Sequence, residues 1–134
     1  VAAAAPAAAG DVPRRFRALS FGRPLGPWRA RRVLAQQDAI DAGQGAREWE
    51  SGLPFMGPGV SIVSEPGEVP IKPADLRLAQ ALAFHRRHGG GALTRAATKQ
   101  AAAQDPGDAK LWAEIVEELR TIRAEALRAE RERE

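Results

Sequence analysis

Residues 53–73 read LPFMGPGVSIVSEPGEVPIKP, and no other stretch limits the fold so strongly. Leu53, Phe55, Met56, Val60, Ile62, Val63, Val69 and Ile71 favour burial. Prolines at 54, 58, 66, 70 and 73 and glycines at 57, 59 and 67 interrupt any long regular element. Only Val60–Val63 reads as a short strand, and no second strand is evident to pair with it. The segment therefore reads as an extended arm whose apolar side chains need a partner.

The rest of the chain has little to offer as that partner. The hydrophobic fraction is 44% of 134 residues, but alanine supplies roughly half of it, and alanine contributes little burial energy. There is no cysteine, which excludes a disulfide framework and a zinc–thiolate site. No window has the length and apolarity of a membrane span, although peripheral membrane association remains compatible with the sequence.

Charge is unevenly placed. The net charge is only +3, yet Arg14, Arg15, Arg17, Arg23, Arg29, Arg31 and Arg32 occur with no acidic residue between Pro13 and Gln37. Phe16, Phe21 and Trp28 are interleaved with them. Arginine alternating with aromatics suits phosphate neutralisation and base stacking, so Arg14, Arg15, Arg17, Arg29, Arg31 and Arg32 are candidate anion or rRNA contacts. The opening VAAAAPAAAG followed by RRFR is alanine- and arginine-rich and acid-poor, and resembles organelle transit peptides in composition. We read a mature protein imported into a chloroplast or mitochondrion, with a trimmed bacterial protein as the alternative.

Four helical segments are expected. Pro27 fits the first position of a helix over about 28–42, with a short helical piece near 46–49. Pro73 starts a second helix over 74–88, in which Leu78, Leu82 and His85 share one face and Gly89 caps the end. An alanine-rich third helix spans about 92–104. Asp105 is the expected N-cap of the last helix, with Pro106 in its first turn and Asp108 at the capping-box position. Leu111, Trp112, Ile115, Val116, Leu119, Ile122 and Ala126 form its core face. The closing RAERERE has no apolar face, and i, i+3 and i, i+4 ion pairs are expected to hold it as a solvated helix.

The expected fold is thus mostly α: three to four helices with long extended proline/glycine-rich arms, not a compact independent domain. The organisation is an arm over 1–27, a short helical segment over 28–50, an arm over 51–73 and a helical region over 74–134.

Chemistry-bearing constellations are sparse. His85 and His88 have the i, i+3 spacing of half a metal site, but no third ligand accompanies them, and Arg86 and Arg87 between them repel a cation. HRRHGGGALTR combines basic residues with a glycine turn and a helix start, and lacks the phosphate-loop pattern. Ser20, Ser51, Ser61 and Ser64 lie outside any nucleophile elbow. No cofactor and no catalytic residue is expected.

Short helices, proline-rich arms and this composition resemble accessory subunits of organellar assemblies in general style, with no shared motif. The leading expectation is a non-catalytic peripheral subunit of a photosystem or respiratory complex, its arms lying in grooves of larger subunits. Phe16, Phe21, Trp28, Trp49, Phe55, Met56, Val60, Ile62 and Val63 are the expected contacts. In this reading the isolated chain is largely disordered in its first half. The alternatives are an organellar ribosomal protein with the arginine arm on rRNA, and a stand-alone helical binding module.

Overall fold

A computed structural model describes residues 12–133. The first part of the expected N-terminal arm lies outside the described residues. In chain order the elements are β1 (Arg14–Ser20), β2 (Arg23–Pro24), α1 (Arg32–Asp41), β3 (Gly45–Arg47), β4 (Pro54–Met56), β5 (Val60–Pro66), α2 (Pro73–His88), α3 (Ala92–Ala102) and α4 (Pro106–Glu132). One turn of 3₁₀ helix, Gly89–Gly91, joins α2 to α3.

The fold is mixed α/β, which corrects the expectation of helices with extended arms. The two segments read as arms are partners of each other. β5 pairs antiparallel with β1 along its whole length, from Ser20 opposite Val60 to Arg14 opposite Pro66. β2 extends this sheet on the other side of β1, giving the order β2-β1-β5. The first part of the 51–73 arm is likewise engaged: β4 pairs antiparallel with β3. The prolines sit where a ladder tolerates them. Pro54 starts β4 and Pro66 ends β5, so neither removes a donor from the middle of a strand.

β1 and β2 form a hairpin with the two-residue turn Phe21-Gly22. Both residues have positive φ, 48° and 82°, the signature of a type I′ turn whose twist matches the flanking strands. Beyond β2 the chain continues beside β1. Phe16 and Arg29 exchange both backbone hydrogen bonds, at 2.8 and 2.6 Å. That pairing moves the start of α1 from the expected Trp28 to Arg32, because Arg29 is held against the sheet and Arg31, the N-cap, is extended. The short helix expected near 46–49 is replaced by β3.

The helical half follows its sequence signals. α2 begins at Pro73 and stops at Gly89, whose φ is +59°. Asp105 caps α4 by accepting a hydrogen bond from the Asp108 amide at 2.9 Å. Ile115, Val116, Leu119, Ile122 and Ala126 of α4 pack with Ala81 and Leu82 of α2 and Ala92 and Ala96 of α3. Trp49 completes this core from the loop after β3. The small alanines let α3 and α4 approach closely, so an alanine-rich sequence still excludes water here. At the far end of α4, no ion pair within 4 Å joins residues 128–133 among the described residues, so the expected charge ladder is not formed. No helix among the described residues is long and apolar enough to cross a membrane.

Candidate functional site

Alternation along β1 and β5 sorts the arginine arm by face. Phe16, Ala18 and Ser20 share one face with Val60, Ile62 and Ser64. Ala18 is fully buried there, where β1 meets α1. Arg15 and Arg17 lie on the other face with Val63 and Glu65. Arg15 donates to Glu65 at 2.6 Å, and its guanidinium stands 4.3 Å from the centre of the Trp28 ring. Arg17 lies 5.6 Å from the same ring and donates to the Gly26 carbonyl at 2.9 Å. Arg14 donates to the Ser64 hydroxyl at 3.1 Å.

Arg29 holds a different junction. It grips Asp38 of α1 with two hydrogen bonds of 2.8 Å and reaches Asp75 of α2 at 3.4 Å. The Asp38 bond raises the Arg29 pKa against the opposing effect of burial. Arg32 lies 5.3 Å from the Phe16 ring. Of the six arginines read as RNA contacts, Arg15, Arg17 and Arg29 are therefore occupied in building the fold. Arg31 and Arg32 are exposed, and Arg14 is exposed beside its serine.

The expected partner contacts also divide. Trp49 is only 6% exposed and belongs to the core, so it has no surface for a partner. Phe16, Trp28, Met56, Val60, Ile62 and Val63 are half-buried within the sheets and their flanks. Phe21 and Phe55 are different, at 79% and 49% exposure. Phe21 is the one non-glycine residue with positive φ among the described residues. Its amide donates to the Gly59 carbonyl at 2.8 Å, and its ring lies where a Gly59 side chain would be, within 2.5 Å of a Cβ placed there. The hairpin tip is thereby fastened to the β4–β5 turn while its ring faces solvent. A bulky residue in a left-handed turn is uncommon, and such outliers cluster at functional positions. Leu53 and Val12 are the other large apolar residues left exposed.

Two buried polar groups were not foreseen from sequence as a pair. Arg47 is almost completely enclosed. It reaches Gln37 and the Gly52 carbonyl only at 3.4 and 3.5 Å, and its Nε has no partner among the described residues. Burial pushes its pKa down to about 10, so it stays cationic at neutral pH. Glu125 and Asp41 balance it at a distance, and burial raises the Glu125 pKa. His85 is fully buried and donates from Nε2 to the Trp49 carbonyl at 2.7 Å, leaving Nδ1 unpartnered. Burial is the main cause of its lowered pKa. His85 thus serves the core rather than a ligand. No group of three or more His, Cys, Asp or Glu residues is placed to hold a metal ion among the described residues.

Two of the open clefts are the most spacious. One of about 410 Å³ is lined by Pro13, Arg14, Ala30 and residues 67–70. Another of about 480 Å³ runs between α2 and α4, between Arg77 and Glu117. Neither gathers a nucleophile with a base. Comparison with family models, with curated proteins and with solved structures finds no match.

Proposed function

We propose that this protein is a non-catalytic accessory subunit that docks as a pre-folded domain onto a larger protein assembly, with the Phe21 hairpin tip as its anchor. The observation that carries the reading is the conjunction at Phe21: an aromatic ring 79% exposed, on a strained turn, fastened beneath to Gly59. A fixed aromatic presented to solvent loses little conformational freedom when it enters a pocket, which is the property of an interface hot spot. Phe55, on the edge of the small β3–β4 sheet, offers a second apolar contact.

This reading departs from the expectation of extended arms filling grooves, since those arms are paired within the chain. An organellar setting, in a photosystem or respiratory complex, rests on the composition of the first residues alone. The stand-alone binding module gains one point in its favour: the β1–β5 ladder and the helical core are complete without a partner.

The test is sedimentation of the tagged chain in extracts of its source organism. The wild type is expected to migrate with a large assembly and to stay there at high salt. A Phe21→Ser/Phe55→Ser variant, folded by circular dichroism, is expected at monomer size. A wild type found only as monomer, or a double variant that stays in the assembly, would overturn the proposal.

A further inference from the structure

At the end of the molecule opposite in sequence to the arginine arm, three helices bring their aromatic and basic side chains into one row. His88 of α2 lies against Phe84, with ring centroids 4.4 Å apart. Phe84 meets Trp112 of α4 edge-on at 5.3 Å. The Lys99 ammonium of α3 stands 5.4 Å from the centre of the Trp112 ring. All three rings are half-buried, and Phe84 and Trp112 pack against the core.

Cations surround this row. Arg87, Arg95 and Lys99 are exposed. Arg95 and Lys99 are one turn apart on α3 and so share a face. Partial desolvation and the charges of Arg95, Arg87 and Lys99 lower the His88 pKa. None of the three forms an ion pair with a carboxylate among the described residues. Arg31 and Arg32 are exposed and likewise unpaired among the described residues, so what marks this end is that its cations border a half-buried aromatic row. Like charges gathered without counter-charges repel, and an external polyanion relieves that repulsion.

We propose that this α2–α3–α4 end binds a single strand of nucleic acid, with Arg87, Arg95 and Lys99 on its phosphates and its bases against the His88–Phe84–Trp112 row. The rings decide between nucleic acid and an acidic protein. Every base has a π-face to lay on an aromatic, whereas an acidic peptide would use only the cations. The inference moves any RNA contact away from the N-terminal arginines, half of which are spent inside the fold.

The experiment is fluorescence anisotropy of labelled oligouridylate and oligothymidylate with the purified full chain. Binding is expected at low salt and should weaken with a log–log slope of about −2, as three phosphate contacts on a single strand require. Arg95→Glu/Lys99→Glu should weaken binding at least tenfold, and Arg31→Glu/Arg32→Glu on the sheet side should leave it within twofold. Should the first pair disturb the circular dichroism spectrum, Arg95→Gln/Lys99→Gln replaces it with the same expected direction. Tryptophan emission should be quenched on binding, and the quench should vanish in Trp112→Phe. Binding to either strand supports the proposal. No binding at low salt, equal losses in the two charge-reversal variants, or displacement by polyaspartate at equal charge concentration would overturn it.

Discussion

Trp49 and His85 hold each other twice. Their rings stack with centroids 4.3 Å apart at an interplanar angle of 26°, and the His85 Nε2–H donates to the Trp49 carbonyl at 2.7 Å. The loop after β3 is thereby attached to the last turns of α2. With Nε2–H donating, the neutral ring leaves Nδ1 bare, and burial with the Arg47 charge disfavours an added proton more than Glu50 favours it.

The first prediction concerns pH. The folded pKa of His85 lies below the ordinary value of about 6.5. At pH values under 6.5 the unfolded chain therefore binds more protons at this site than the folded one. Stability contributed by neutral His85 is present above that pH and is lost as pH falls from it toward the folded pKa. Half-buried His88 shifts the same way, while Glu118 and Glu125, raised by burial, act in the opposite direction at lower pH. The difference between two proteins isolates His85. Urea unfolding at about pH 7.5 and pH 5.5 should show a smaller pH dependence in His85→Gln than in wild type, even though the variant is less stable by about 1–3 kcal/mol at the higher pH. Equal pH dependence would show that the His85 pKa is the same in the folded and unfolded states.

A second prediction comes from the same junction. Gly52 has φ +73°, and a Cβ there would stand 2.5 Å from the His85 carbonyl oxygen and 2.8 Å from the Arg86 Cα. Both obstacles are backbone, so no side-chain rotation relieves them. Gly52→Ala should cost about 3 kcal/mol or more in thermal or urea unfolding, combining left-handed strain with overpacking. A loss under about 1 kcal/mol would mean that the loop does not sit on α2 as described.

Arg47 supports a prediction of opposite sign. Its guanidinium is buried, its two hydrogen bonds are long and one nitrogen is bare. Desolvation therefore outweighs what its neighbours return. Arg47→Met keeps the length of the stem and removes the charge. It is expected to leave stability unchanged or raise it by about 1–2 kcal/mol, and to raise the Glu125 pKa further by removing a positive charge that lowers it. A loss of several kcal/mol would show that the attraction of Glu125 and Asp41 dominates.

How much of this was legible in the sequence depends on whether the signal was local. Helices α2 and α4 announced themselves through proline starts, the Asp105 cap and a 3.6-residue apolar stripe, all encoded within one element. The sheet is a long-range object: its two strands are some 45 residues apart, and β1 is written in arginine, which reads as a nucleic-acid arm. The pairing was nevertheless present in the pattern. RRFRALS alternates Arg15 and Arg17 with Phe16 and Ala18, and VSIVSEP alternates Val60 and Ile62 with Ser61 and Val63. Matching Arg15 to Glu65 joins the two in register. The candidate site was legible in part. Phe21 and Phe55 stand out among the expected contacts, but only the fold distinguishes them from Trp49, an equally apolar residue that is sealed inside. His85 as a core residue could not be separated from His85 as a ligand until its Nε2 partner was known.

Asp38 tests whether the sheet and the helices act as one unit. It receives two hydrogen bonds from Arg29 and is nearly buried, with a side-chain exposure of 11%. Gly26 packs against the same carboxylate, so a Cβ at Gly26 would come within 2.6 Å of Asp38 Oδ2. Asp38→Ala leaves Arg29 with only the longer contact to Asp75, and should destabilise by about 2–4 kcal/mol. Gly26→Ala should act through the same bond, so the double variant should lose less than the sum of the singles. Strict additivity would separate the two effects and remove the coupling.

The ladder between β1 and β5 gives the sharpest test of the corrected fold. If residues 60–66 were an arm awaiting a partner, their amides in the purified chain would exchange with solvent in seconds. Paired with β1, the amides that donate into the ladder are expected to exchange with the same opening free energy as the α4 core amides, because β1 packs through fully buried Ala18 onto α1 and α1 onto α2. Ala18→Lys should abolish that protection by forcing a charge between strand and helix, and should weaken the whole domain by about 3 kcal/mol or more. Protection confined to the helices in wild type would show that the sheet opens independently, and would return the segment to the status of a partner-seeking arm.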